Sequence, residues 1–144
     1  ALQFGADETI SATADVPLKL REVNDGRLAD LVIVCTGALP ALQQALQSVE
    51  RGGTILFFAP TQPGVDLPVS VNETFFRNDA TLTTTYAASP SNLAQSLELI
   101  RAGGVKVEEM ISHRLGLGDI GLGFKLTSEA QDSLKVIVEP QRQG

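Results

Sequence analysis

The sequence predicts an α/β fold, a parallel sheet with flanking helices, and three observations predict it. Leu31-Val32-Ile33-Val34-Cys35 is an unbroken apolar run rich in β-branched residues, the pattern of a strand buried on both faces. Leu39, Leu42, Ala45, Leu46 and Val49 then recur at helical spacing, with Pro40 in the first turn where a missing N–H costs little. Thr54-Ile55-Leu56-Phe57-Phe58 is a second buried strand, and Gly52-Gly53 before it reads as the helix stop. Strand, helix and strand with short links make a βαβ unit with a right-handed crossover.

The remaining elements follow from weaker signals. Glu8-Thr9-Ile10 reads as a short strand, and Val16 to Asn24 as a short helix with Pro17 in its first turn. Val65 to Val71 alternates apolar and polar residues, and Pro68 within it makes it an edge strand. Its apolar members Val65, Leu67, Val69 and Val71 fall on one side, so the segment is expected to pair with a copy of itself. Thr81 to Tyr86 is rich in β-formers. Ser91 is expected to cap a helix with Leu93, Leu97 and Ile100 as its inward stripe, ending at Gly103-Gly104. Two further strands are expected around Met110–Arg114 and Leu134–Val138. No repeat, low-complexity tract or linker is visible.

Composition bounds the function classes. The chain has 144 residues, 43% hydrophobic and 19% charged, as in an ordinary globular domain. A net charge of −6 argues against nucleic acid as the main partner, because neutralising phosphates needs a basic face. No Lys/Arg run favours a membrane surface, and the apolar runs are too short to span one. A single cysteine, Cys35, excludes an internal disulfide and suits the cytoplasm. One Cys and one His fall short of the roughly three or four ligands of a zinc site. The opening Ala1-Leu2-Gln3-Phe4-Gly5 has no signal-peptide pattern and reads as the start of an excised piece.

Ligands of open parallel sheets bind at the carboxyl ends of the strands. Three such ends are legible: Thr36-Gly37-Ala38, Phe58-Ala59-Pro60 and Tyr86-Ala87-Ala88. Small residues there let a flat ligand reach the backbone, but they also make tight turns. The residues alone leave both readings open.

The order of segments adds to this. Phe4-Gly5-Ala6-Asp7, then Ala29 to Gly37, then Arg51-Gly52-Gly53-Thr54-Ile55-Leu56, then Ile111-Ser112-His113-Arg114 and Leu134 to Val138 together resemble the C-terminal part of zinc-type, medium-chain alcohol, sorbitol and threonine dehydrogenases. The resemblance covers nearly the whole chain and lies in the sequence of segments. It implies an incomplete Rossmann-like sheet over residues 1–88 that binds NAD or NADP. Residues 89–144 would be a C-terminal helix/strand segment that packs back onto the catalytic domain. The first strands, the glycine-rich turn and the zinc-bearing domain would precede Ala1, so the chain by itself would be inactive and hold no metal. The resemblance places Thr36 and Gly37 near the adenosine, Phe58, Ala59 and Pro60 near the nicotinamide, and the backbone at Ala87 near the carboxamide. Lys135 falls where the family often has a basic group near the pyrophosphate, although a solvated edge lysine is an equal reading. It also implies hydride transfer with a small alcohol, and a homo-oligomer joined near Val65–Val71. The substrate and the choice between NAD and NADP lie beyond the sequence.

Other motifs carry less. Gly116-Leu117-Gly118-Asp119-Ile120-Gly121 is a literal G-x-G-x-x-G, with Glu139 at the end of a later strand. The polar Ser112-His113-Arg114 before it departs from the dinucleotide fingerprint, and a lone motif is weak. His113 without a positioned partner reads as structural. Cys35 reads as an inert core thiol, and Glu108-Glu109 as a solvated turn. Two rival functions fit the same elements: the second half of a Rossmann-like methyltransferase, and a non-enzymatic oligomerisation module.

Overall fold

The computed structural model describes residues 1–142. The chain divides into two compact units, Ala1–Ala87 and Ala88–Gly144.

In the first unit, helix α1 (Val16–Val23) begins at Asp15, whose Oδ1 accepts the Leu18 N–H at 3.1 Å. Strand β1 (Ala29–Val34), helix α2 (Leu39–Ser48) and strand β2 (Val49–Phe57) follow as the βαβ unit, and β3 (Thr81–Thr84) completes a sheet. The order is β1-β2-β3, all parallel, with Val32 opposite Ile55 and Ile55 opposite Leu82. Side chains of paired residues share a face, so Val32, Val34, Ile55, Phe57 and Leu82 form one apolar layer. Leu42 and Ala45 of α2 pack on it, with Val49, Ala80 and Leu67 closing the edges. Ile55 sits at the centre with 0% exposure.

The structure corrects several expectations for this unit. Strand β1 is not buried on both faces, because Leu31 and Ile33 on the face away from that core are 57% and 52% exposed. A continuous apolar run implies layers on both sides, and here one layer is made. Cys35, next on the same face, is exposed rather than a core thiol. Gly52-Gly53 does not stop α2, which ends at Ser48 when Val49 turns extended to pair with Ala29. The glycines instead form a bulge within β2, with Gly52 left-handed at φ 76° and its N–H on the Asn78 carbonyl at 2.7 Å. Glu50, beside that bulge, accepts the N–H groups of Leu28 at 2.8 Å and Arg51 at 3.1 Å. The Leu28 bond is the main reason its carboxyl titrates below the usual range.

Glu8–Ile10 joins no strand; three residues without a partner gain no ladder bonds. Val65–Val71 is not an edge strand: residues 65–70 are irregular and Val71 is already helical. Its alternation is real, but Leu67 turns onto the unit's own core, while Val65 and Val71 stay exposed. A π-helical turn, Asn72–Arg77, leads from it to β3.

In the second unit, α3 (Pro90–Arg101) is capped by Ser89, not Ser91. Ser89 Oγ accepts the Asn92 N–H at 3.2 Å while Asn92 Oδ1 accepts the Ser89 N–H at 2.9 Å, a reciprocal box that Ser91 is too far along to make. The expected inward stripe Leu93, Leu97 and Ile100 is exposed. Helical spacing sets which residues share a face, and burial needs a second element over that face. Glu108-Glu109 lies in a short helix, α4 (Val107–Met110), rather than a turn. Strands β4 (Ile111–Leu115) and β5 (Lys135–Val138) pair in parallel, joined through α5 (Ile120–Glu129), which packs on β5. Arg114 binds Glu108 at 2.8 Å and Glu139 at 2.7 Å. The Arg114 hydrogen bond holds the Glu139 carboxyl below its usual range.

Candidate functional site at the carboxyl ends of the strands

The three strands of the first unit end together. Val34 lies opposite Phe57, and Phe57 opposite Thr84. The loops that leave them are tied to one another. The Val34 carbonyl accepts both the Phe58 and the Ala59 N–H at 3.1 Å, which turns the chain sharply after β2. Thr84 Oγ1 donates to the Phe57 carbonyl at 3.0 Å. A Cβ on Gly37 would collide with the Pro60 carbonyl oxygen and lie 3.1 Å from Thr61 Cα, so the loops after β1 and β2 touch backbone to backbone. Thr36 Oγ1 accepts the Ala38 N–H at 3.3 Å and shapes the entry to α2, whose first-turn N–H groups face the same end of the sheet. Ala87 adopts φ 60°, a left-handed conformation uncommon outside glycine.

Thr36, Gly37, Phe58, Ala59, Pro60 and Ala87 are therefore brought to one edge of one parallel sheet. Lys135 belongs to the second unit, where it opens β5, exposed, with its carbonyl accepting the Ser112 hydroxyl at 3.1 Å. Two large side chains, both named in the sequence reading as parts of strand ends, stand exposed at the edge. Tyr86 is 98% exposed and Phe58 is 59% exposed. The run of β-formers was read as extending to Tyr86, whereas β3 ends at Thr84, so Tyr86 stands in the loop after the strand.

The literal G-x-G-x-x-G does lie between a strand and a helix, with a parallel strand after the helix. Its turn is occupied by the chain itself. A Cβ on Gly116 would stand 2.7 Å from the Arg142 carbonyl oxygen, so the close approach this glycine permits is to backbone. Glu139, where a ribose-binding carboxylate would be, is bound to Arg114 and, at 3.5 Å, to Arg142. His113 Nδ1 lies 3.1 Å from Ser112 Oγ, which also ties β4 to β5 by accepting the Leu134 N–H at 3.0 Å. Among the described residues no group of three or more His, Cys, Asp or Glu is placed to hold a metal ion, and no helix is long and apolar enough to cross a membrane.

An open parallel sheet with small, interlocked loops at its carboxyl edge belongs to the class of α/β folds whose ligands bind at that edge. The comparisons specify it further. The family profile described as zinc-binding dehydrogenase matches residues 1–102. The chain belongs to that family. It is 26% identical to the D-xylulose reductase of Saccharomyces cerevisiae over 147 residues, covering 96% of this chain and 40% of that protein. It is likewise 26% identical to the L-threonine 3-dehydrogenase of Bacillus licheniformis, with 96% of this chain and 40% of that protein covered. The chain thus spans about two fifths of the length of these curated relatives. The fold matches the benzyl alcohol dehydrogenase of Acinetobacter calcoaceticus with a TM-score of 0.81 at 20% identity, over 93% of this chain and 37% of that one. It matches an alcohol dehydrogenase of Thermotoga maritima with a TM-score of 0.78 at 23% identity, over 92% and 36%. The methyltransferase and oligomerisation-module readings receive no support from these comparisons.

Proposed function

We propose that this chain is the coenzyme-binding portion of an NAD(P)-dependent, zinc-type alcohol dehydrogenase that moves a hydride between an alcohol carbon and the nicotinamide. The observation that carries the reading is the coincidence of the family match with the unit whose three parallel strands end on one edge of small, interlocked loops. Thr36 and Gly37 are assigned to the adenosine side. Phe58, Ala59 and Pro60 are assigned to the nicotinamide side, and the Ala87 backbone to the carboxamide.

When bound, the nicotinamide supplies the hydride acceptor. The chain's own contribution is position. The Phe58 and Ala59 amides are fixed on the Val34 carbonyl before any ligand arrives, so the loop loses little freedom on binding. The small side chains of Gly37, Ala59 and Ala87 let a flat ring approach the backbone groups that recognise it. The described residues do not fit zinc, with one Cys and one His in the chain and no cluster of ligands. We assign zinc to the part of the family's length that this chain does not span, and the protein to the cytoplasm.

Thermal unfolding of the chain tests the reading. A ligand at about a hundred times its Kd stabilises by roughly 2.7 kcal/mol, so NADH or NADPH is expected to raise Tm by several degrees and S-adenosylmethionine to leave it unchanged. No shift with either dinucleotide, or one tightly held zinc per chain by metal analysis, would show the assignment to be wrong.

Self-association through Val65–Val71 belongs to the same proposal. From Asp66 to Val69 the main chain makes no backbone hydrogen bond among the described residues, which leaves main-chain groups open to a second copy although the segment is not itself a strand. Light scattering at tens of micromolar is expected to give a dimer that Val69→Lys converts to monomer. A parent chain that is already monomeric, or a dimer unmoved by the substitution, would exclude this contact.

A further inference from the structure

We propose that Glu50 is a charge-dependent latch: its carboxylate clasps the connection between α1 and β1 onto the bulge of β2, and protonating it frees that connection. While β1 advances from Ala29 to Leu31, β2 advances from Val49 to Thr54, so residues 50–53 loop out of the ladder. Glu50 reaches back from this bulge. Its Oε2 accepts the Leu28 N–H at 2.8 Å and its Oε1 the Arg51 N–H at 3.1 Å. Leu28 stands one residue before the ladder begins and is buried, so water is badly placed to take over its amide. Its carbonyl is held from the other side by Asn24 Nδ2 at 3.0 Å. Asn24 is the C-cap of α1. The turn beside it is closed by the Gly26 N–H on the Arg21 carbonyl and the Arg27 N–H on the Asn24 carbonyl, both at 2.9 Å. Every residue of α1 is at least partly exposed, so the helix draws much of its hold from this chain of bonds, from Asn24 through Leu28 to Glu50.

Protonation breaks the chain because both carboxylate oxygens are in use. The acid form turns one of them into a donor, which leaves one good acceptor for two amides. The charges around Glu50 favour the ionised form. Arg27 and Arg21 attract it from the α1 side. Arg27 also pairs with Asp30 at 2.7 Å, which offsets that neighbouring carboxylate. On the β3 side the bulge meets the Asn78 carbonyl, which accepts the Gly52 N–H at 2.7 Å, with Asp79 next in the chain. The Leu28 bond first, and the Arg51 bond after it, hold the Glu50 carboxyl below the usual carboxylate range, against the opposing effect of burial. A carboxyl lowered in this way stabilises the folded state above the ordinary carboxylate range and ceases to as pH falls through the lowered value. The latch is therefore closed at neutral pH and opens in acid, below the range where an unpaired glutamate titrates.

Amide exchange and a pH titration, both followed by NMR on the whole chain, test the latch with Glu50→Gln, which keeps the shape and removes the charge. At neutral pH the variant is expected to exchange its Gly26, Arg27 and Leu28 amides about tenfold faster or more, the worth of a hydrogen bond to a charged acceptor. The Val32 and Ile55 amides should stay within about twofold of the parent, because the opening is local. Glu22→Gln removes a carboxylate that pairs with Lys19 on α1 itself, and it should leave all of these amides as they are. In the parent, the Leu28 and Arg51 amide resonances should titrate together, with one midpoint below that of an exposed glutamate. In Glu50→Gln neither should move. The parent titration needs no variant, and it decides the matter if Glu50→Gln does not fold. Unchanged exchange in the variant, faster exchange at Leu28 alone, or equal quickening at Val32 and Ile55 would each overturn the latch. A parent Leu28 resonance that follows no single acid midpoint would overturn it as well.

Discussion

Ile55→Ala is expected to lower the stability of the first unit by about 3–4 kcal/mol, near the upper range for removing a buried branched side chain. Ile55 is fully buried, stands between Val32 and Leu82 on the core face of the sheet, and lies beneath Leu42 and Ala45 of α2. The three carbons lost there leave a cavity that β1, β3 and α2 must all move to fill, and two of those elements are held in register with β2 by backbone bonds. For a domain of this size each kcal/mol shifts Tm by roughly 4–8 °C, so a circular-dichroism melt should fall by about 12–30 °C. Val32→Ala, at the partly buried margin of the same layer, should cost distinctly less. A melt of Ile55→Ala within about 4 °C of the parent would show that the sheet is not held from this point.

The βαβ unit was legible because its signals are local and agree. An apolar β-branched run, a helical stripe behind a first-turn proline and a second apolar run leave few alternatives. Burial was less legible, because it is a relation between elements. The runs through Leu31, Ile33 and Cys35 and through Leu93, Leu97 and Ile100 state which residues share a face. They do not state whether anything covers that face. Pairing failed for the same reason at Glu8–Ile10 and Val65–Val71, where strand-like patterns have no partner strand among the described residues. Leu67 shows how an alternating segment can satisfy its apolar side by packing on the unit's own core without joining a ladder. The helix boundaries were decided by competition between neighbours. Ser89 outcompetes Ser91 because only Ser89 has Asn92 three residues on, and Val49 leaves α2 because a buried strand position awaits it.

The candidate edge was readable as three strand ends, but what locks them together was not. The Val34 carbonyl shared by two amides, and the contact of Gly37 with Pro60, join residues too far apart in sequence for spacing to show.

That contact gives the second large effect. Gly37→Ala places a methyl group where the Pro60 carbonyl oxygen stands, with Thr61 Cα 3.1 Å away. Both obstacles are backbone, so no flexible side chain can yield, and either the loop after β1 or the loop after β2 must shift. The Pro60 loop is the one with less freedom, because Ala59 is already bonded to Val34. Overpacking of this kind costs about 1–3 kcal/mol, which by itself predicts a lower Tm. The functional effect should be larger than the loss of stability, since a displacement of about 1 Å at a positioning loop can cost on the order of a hundredfold. Gly37→Ala is therefore expected to weaken NADH or NADPH binding by tenfold or more and to speed hydrogen exchange at the Ala59 amide. Thr36→Ala serves as the control. It removes the exposed hydroxyl that accepts the Ala38 N–H at 3.3 Å, together with the side chain's methyl group, and it should leave Ala59 protected. A Gly37→Ala chain that keeps the parent's Tm, coenzyme affinity and Ala59 protection would mean that the loops after β1 and β2 are not locked together and that the edge is not preorganised by Gly37.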